Sequence, residues 1–137
     1  MKRIAIVTSK SLNKGETANV ASILMGQTAL QLPDIYDPNP VKDNEGQSHA
    51  AIRFSTVLLE ANGAESLLNF VRRVKTEFPT LTSFVFTQTG QGLNNAFEQY
   101  KAEISAKSTE ALIPVGVIVA GDDAVVRLAT KKFSLLK

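Results

Sequence analysis

The chain has 137 residues, of which 44% are apolar, 20% charged and 7% aromatic, so its length fits one domain with its own core. It has no cysteine and one histidine, which excludes disulfides, iron–sulfur centres, cysteine nucleophiles and metal sites built from several histidines. Fifteen Lys and Arg against thirteen Asp and Glu leave a net charge of +2, which is not the charge balance of a dedicated nucleic-acid binder.

The first half of the chain predicts one strand, one helix and a long loop. Residues 2–8 are rich in strand-forming residues and nearly all apolar after Arg3, which is typical of a strand buried on both faces. A polar turn at 9–15 precedes a helix predicted over 16–31. Residues 32–48 are polar and rich in proline, so they predict a loop of a length that is usually either functional or mobile.

The second half continues the alternation of strands and helices. Three more strands are predicted, over 51–60, 81–87 and 113–120, and three more helices, one ending before Pro79 and two over 95–106 and 122–132. The strand at 113–120 is the most apolar and is expected at the centre of the sheet, whereas 51–60 has a more polar face and is expected near an edge. This alternation of strands and helices predicts a single α/β domain over residues 1–137. Its expected architecture is a three-layer α/β/α sandwich around a four-stranded, mostly parallel sheet.

An Asn-x-x-Glu spacing occurs three times, each time where a helix is predicted to begin. The pairs are Asn13 and Glu16, Asn62 and Glu65, and Asn95 and Glu98. The spacing is that of a capping box, in which the two side chains bind the first backbone amides of a helix. We therefore expect these carboxylates to be structural rather than catalytic.

Polar residues are concentrated in the turns that a mostly parallel sheet would bring to its carboxyl edge, at 8–15, 87–94 and 120–123. The candidate ligand-binding residues in or beside the first two turns are Lys10, Lys14, Asn19, Gln88, Thr89 and Gln91. Neither turn completes a phosphate-loop or dinucleotide motif, and Gly90 and Gly92 are expected to be the positive-φ residues of a tight turn. The expected ligand is a small anion or an RNA end, with no cofactor and no metal.

Two other features leave alternatives open. His49 is a candidate base or pH sensor near Asp37 and Asp43, or a residue that pins its loop. Arg127, Lys131, Lys132 and Lys137 make a basic carboxyl end that suits either an RNA phosphate or the dipole of the last helix.

The apolar run at 4–7 is shorter than that of a signal peptide, and no stretch reaches the about 20 apolar residues of a membrane span. We therefore expect a soluble, cytoplasmic protein with no membrane partner.

Several of these segments together resemble a known family. They are Asn19 within residues 18–21, the Asp43-x-x-Gly46 loop, and the closing segment from Val126 through Thr130, Lys131 and Phe133 to Leu136, after the apolar run 116–122. Their order and spacing are similar to those of the small bacterial family called domain of unknown function two thousand, over nearly the whole chain. That resemblance implies a fold similar to type II peptidyl-tRNA hydrolase, with a mixed four-stranded sheet in which one strand runs antiparallel.

The same resemblance can be tested against the hydrolase's functional positions. Its lysine near the start of the first helix falls on Glu16, and the Asp, Gly and Thr after its third strand fall on Gln88, Gly90 and Gly92. Glutamate cannot supply the positive charge, and glutamine and glycine cannot supply the carboxylate and the hydroxyl. Three hypotheses follow: a non-catalytic binder of a small anion or RNA end, a hydrolase of peptidyl-tRNA or a related acyl ester that uses Lys14 or Lys10, and a homodimeric interaction module.

Overall fold

The computed structural model describes residues 1–93 and 95–137. In these residues the strands are β1 (Lys2–Ser9), β2 (Val41–Lys42), β3 (Ser48–His49), β4 (Ser55–Ala61), β5 (Thr82–Thr87), β6 (Pro114–Asp122) and β7 (Ser134–Leu135). The α-helices are α1 (Lys14–Gln31), α2 (Ala64–Glu77), α3 (Gln88–Gly92), α4 (Phe97–Ala106), α5 (Thr109–Leu112) and α6 (Asp123–Thr130), and a 3-10 helix spans Pro33–Ile35. None of the helices in the described residues is long and apolar enough to cross a bilayer.

The main sheet is mixed and has the strand order β5-β6-β1-β4-β7. β1 is parallel to β4, β6 is antiparallel to both of its neighbours, and β7 is antiparallel to β4. The α/β class and the mixed sheet are thus confirmed, whereas the predicted number of four strands is wrong and most neighbouring strands are paired antiparallel. In the described part of the chain the sheet has five strands, because the two-residue β7 adds to the edge of β4.

The direction of β6 follows from the connection that precedes it. Three short helices, α3, α4 and α5, return the chain to the edge at which β5 ended, and the backbone N–H of Gln88 donates to the carbonyl of Ile113 at 2.8 Å. A single crossover helix would have carried the chain to the opposite edge and made β6 parallel. Strand–helix alternation in the sequence does not distinguish these two connections.

The antiparallel β6 separates turns that were expected to meet. Thr8 pairs with Gly116 at one end of β1, whereas Arg3 pairs with Gly121 at the other. The turn at 120–123 therefore lies at the opposite edge from the turn that follows β1. The carboxyl edge instead joins the ends of β1, β4 and β5, with the backbone N–H of Lys10 donating to the carbonyl of Ala61 at 2.8 Å.

Helices cover both faces of the sheet. On one face α1 lies over β1, β5 and β6, and on the other α2 and α6 lie over β1 and β6. The strand β6 is buried from Pro114 to Ala120, as its apolar sequence predicts, but the middle position of the sheet belongs to β1. Residues 4–7 of β1 are almost completely buried and contribute alternately to the two core layers.

Only the first of the three expected capping boxes is present in the described residues. The side chain of Asn13 accepts from the backbone N–H of Glu16, and the carboxylate of Glu16 accepts from that of Asn13, both at 2.9 Å. Helix α2 begins after Gly63 and α4 after Ala96, without side-chain caps, so the other two predicted boxes are wrong. Each of these two helices begins one residue later than the spacing required.

The segment around Gly90 is a short helix rather than the predicted tight turn. Thr87 caps α3 by accepting from the backbone N–H of Gly90 at 3.1 Å. Gly90 has no positive φ; a Cβ there would lie 2.8 Å from the Phe86 ring and 3.1 Å from the Tyr100 ring. Close packing of two aromatic rings therefore explains this glycine. Asn94, part of the predicted turn at 87–94, lies outside the described residues.

Alanine substitutions at Gly116, which lies at the contact between α1 and β6, and at Gly26, which does not, test how tightly this contact is packed. A Cβ at Gly116 would lie 2.5 Å from Val20 Cγ1 and 3.1 Å from Leu24 Cδ1, so we expect Gly116→Ala to destabilise the protein by about 1–3 kcal/mol. Gly26 lies in the middle of α1 with nothing within 4 Å of such a Cβ, so Gly26→Ala should stabilise it by about 0.5–1 kcal/mol. Urea unfolding of both variants measures this, and equal effects would contradict the packing argument.

Candidate functional site

A cleft of about 260 Å³ lies at the carboxyl edge of the sheet, between the start of α1 and strand β4. Three lysines line it: Lys10 in the turn after β1, Lys14 in the first turn of α1, and Lys137 after β7. We call this space the lysine cleft.

The lysine cleft exists because α1 does not cover the whole sheet. The helix lies over β1, β5 and β6, so Leu58 and Glu60 of β4 are left to form one wall of a groove. The chain after β7 supplies a further part of that wall, because the backbone N–H of Leu136 donates to the carbonyl of Leu58 at 3.1 Å. Leu12 and Ala18 add apolar surface from the side of α1.

The charges in the lysine cleft favour an anion. Among the described residues, the ion pairs include neither Lys10 nor Lys14. Glu60 is the carboxylate among the lining side chains. Lys10 and Lys14 against Glu60 leave an excess of positive charge at the mouth of a largely aliphatic groove, an arrangement that attracts anions.

A second cleft of about 230 Å³ lies on the other side of the turn at 9–12. Its polar lining includes Gln88 and Gln91 of α3 together with Ser9 and Ser11, whose hydroxyl oxygens are 2.8 Å apart. We call it the amide cleft. Ile113, which also lines it, has φ +65°, a conformation that is strained for a β-branched residue.

The six predicted site residues are distributed over these two clefts. Lys10 and Lys14 line the lysine cleft, and Gln88 and Gln91 line the amide cleft. Thr89 donates its hydroxyl to the carbonyl of Leu112 at 3.3 Å and so joins α3 to α5. Asn19 is exposed on α1 and lines neither cleft. The fold thus brings two pairs of the six to neighbouring clefts, which share Ser9 and Leu12.

The β4 and carboxyl-terminal walls of the lysine cleft were not predicted from the sequence. Leu58 and Glu60 alternate with buried residues of β4, a pattern that shows they share a face but not that α1 leaves this face open. Leu136 reaches the cleft through the pairing of Leu135 with Leu59. A two-residue strand this far from its partner in sequence has no periodicity that would predict it.

The long polar segment contains ordered structure that fixes His49. Residues 41–49 form a hairpin of β2 and β3, and the Nε2 atom of His49 lies 2.7 Å from Oδ2 of Asp43. Asp43 also accepts from the backbone N–H groups of Glu45 and Gln47, at 2.9 and 3.1 Å, and Gly46 takes the positive φ of the hairpin turn. The structure therefore supports the loop-pinning interpretation of His49.

Acidic residues of this segment carry lowered pKa values. The hydrogen bond with His49, followed by those from the backbone of Glu45 and Gln47, holds the pKa of Asp43 below its ordinary value of 3.8. The backbone N–H of Asn39, followed by the guanidinium of Arg53, does the same for Asp37. Both carboxylates are thus favoured in their charged forms by contacts within the segment.

The basic carboxyl end is divided by the fold. Arg127 pairs with Asp123 one turn earlier on α6, at 2.8 Å, whereas Lys137 lies in the lysine cleft. No three His, Cys, Asp or Glu side chains form a candidate metal site in the part of the chain that the structure describes.

Fold and site together define a small α/β protein with a cation-lined cleft at one edge of its sheet. The chain belongs to the family described as "Protein of unknown function (DUF2000)", whose sequence profile matches residues 2–137. It is similar in structure to the protein of unknown function Atu0240 from Agrobacterium tumefaciens strain C58, with a TM-score of 0.85 and 19% sequence identity over 99% of this chain and 98% of that one. No curated protein matches the chain at a significant level.

The lowered pKa of Asp43 predicts how the β2–β3 hairpin responds to pH. Because the folded pKa of Asp43 is lowered, its stabilising contribution is complete above the ordinary pKa of 3.8 and is lost as the pH falls through the lowered value. We expect the amide resonances of Glu45 and Gln47 to shift together in this acid range, and Asp43→Asn to produce the shifted positions already at pH 7. Two-dimensional NMR measures both effects. The core should stay folded, since the hairpin is exposed, and unchanged resonances in Asp43→Asn would contradict this role.

Proposed function

We propose that this protein binds a small organic anion in the lysine cleft and does not transform it. The observation that carries this proposal is the position of Lys10 and Lys14, two ammonium groups without ion-pair partners among the described residues, at the mouth of the groove. Convergent charges on an otherwise aliphatic wall are the usual composition of a small-molecule site.

The size of the cleft supports a small ligand. Its volume of about 260 Å³ lies below the roughly 300–1,000 Å³ of typical drug-sized pockets, so a dinucleotide would not be enclosed. The net charge of +2 supplies no broad basic surface to track a nucleic-acid backbone. An RNA end, the other ligand predicted from the sequence, would have to bind through its terminal phosphate alone.

A relation to the type II peptidyl-tRNA hydrolase fold is part of the same proposal, and the mixed sheet supports it. Among the four long strands, β6 alone is antiparallel to the others, in agreement with the one antiparallel strand that the resemblance implies. Hydrolysis has less support. Glu16, at the position of the hydrolase lysine, is engaged in the capping box, and Gln88 is an exposed amide with no carboxylate function.

A homodimeric interaction module is supported least. Such a module would associate through an exposed helix face or through the half-polar strand 51–60, and at the strand the outer edge of β4 already pairs with β7 at Leu59 and Glu60. The carbonyl of Leu58 is likewise occupied by Leu136.

Lysine substitutions test the anion site. We expect Lys10→Ala and Lys14→Ala each to weaken binding of a small anion about fivefold, which corresponds to roughly 1 kcal/mol for a partly exposed charge pair. Glu60→Gln removes a repulsive carboxylate and should strengthen binding. Lys101→Ala, an exposed lysine of α4, is the matched control. Calorimetric titration with inorganic phosphate, butyrate, AMP and a short single-stranded RNA measures all four variants.

Each arm of that experiment has a distinct meaning. Tightest binding of the RNA would favour the RNA-end alternative, and release of the acyl group from N-acyl-aminoacyl-tRNA above the buffer rate would favour the hydrolase. No saturable binding of any probe, or an equal loss in Lys101→Ala, would refute the proposed site.

A further inference from the structure

Resting on the proposed anion-binding function, we infer that the ligand of the lysine cleft is a singly charged, short-chain aliphatic carboxylate. The charged head lies at the lysines and the alkyl chain runs along the groove between α1 and β4. This inference rests on the chemistry of the walls, on the Glu60 side chain among them and on the volume of the cleft.

The walls suit an alkyl chain. Apart from its charged and hydroxyl groups, the cleft is lined by Leu12, Ala18, Leu58 and Leu136. Leu58 and Leu136 are half-buried, so their exposed parts are apolar surface that a chain would remove from water. No aromatic ring lines the cleft in the described part of the chain, so a nucleobase would find no stacking platform there.

The charges suit one negative charge rather than two. Lys14 lies at the start of α1 and Lys10 beside the end of β4, where its backbone N–H donates to the carbonyl of Ala61, next to Glu60. A monocarboxylate places its head at the lysines and its uncharged chain towards β4. A dicarboxylate of the same length would place a second negative charge in a groove whose lining already holds the Glu60 carboxylate, and like charges repel.

The volume limits the length of the chain. A groove of about 260 Å³ accepts a fragment-sized molecule, so a long fatty acyl chain would extend into solvent beyond it. Affinity is therefore expected to rise over the first few methylene groups and then to stop rising.

A homologous series of ligands tests this directly. We expect affinity to increase about two- to fourfold for each methylene group from acetate to hexanoate, fourfold being the gain for full burial, and to level off beyond. Butyrate should bind more tightly than succinate, which has the same number of carbons, and Glu60→Gln should narrow that difference.

Ala18→Leu separates the chain site from the charge site. Ala18 is exposed on α1, so leucine there is accepted by the helix but occupies the apolar wall. The variant should flatten the dependence of affinity on chain length. Lys14→Ala should weaken all chain lengths by the same factor. Ala102→Leu, an exposed alanine of α4, is the control for a new surface leucine.

The outcomes separate the identity of the ligand from the existence of the anion site. If phosphate or AMP binds with the expected lysine dependence but affinity does not change with chain length, the inference about the ligand is wrong and the anion site stands. Unchanged chain-length dependence in Ala18→Leu overturns the position of the chain. If no anion binds at all, both the inference and the proposed function fail.

Discussion

The pairing of β1 on both of its edges is the constraint on which the rest of the structure depends. Residues 4–7 are almost completely buried, and the same strand is parallel to β4 on one side and antiparallel to β6 on the other. These two registers decide which strand ends meet. They bring the turn after β1 next to the end of β4 and send the turn after β6 to the opposite edge, so the lysines and Glu60 share one cleft that Gly121 does not approach.

Helix α1 leaves one face of β4 uncovered, and this open face forms a wall of the lysine cleft. Gly116 lets the helix approach β6 closely at Val20, and the helix therefore sits over β6, β1 and β5 rather than over β4. The open face of β4 would expose Leu58 to water, and the segment after β7 covers part of it through the hydrogen bond from Leu136. What remains is a groove with an aliphatic wall and a charged mouth, which follows directly from the placement of one helix.

Signals between neighbours in sequence predicted most elements of this fold but failed at two of the three capping boxes and at the turn around Gly90, and no sequence signal marked the long-range pairings. The apolar runs of β1 and β6, the spacing in α2 and the capping box of Asn13 and Glu16 each depend on neighbours in sequence, and all four are present in the structure. The direction of β6 and the pairing of β7 depend on contacts between distant segments, for which periodicity carries no information. For the same reason Lys10 and Lys14 were found as candidates, whereas Leu58 and Leu136 were not.

The position of the charges explains why we propose binding rather than hydrolysis on this fold. Glu16 stands where the resemblance would place a lysine, and as the third helical residue it uses its carboxylate to cap α1. The positive charge is instead carried by Lys10 and Lys14, earlier in the chain and on the side that faces β4. Gln88 and Gln91 remain in the neighbouring amide cleft, without a cation beside them in its lining. The separation of charge and amide groups into two clefts gives a reacting ester no single place where both act, whereas an anion with an apolar chain needs only the first.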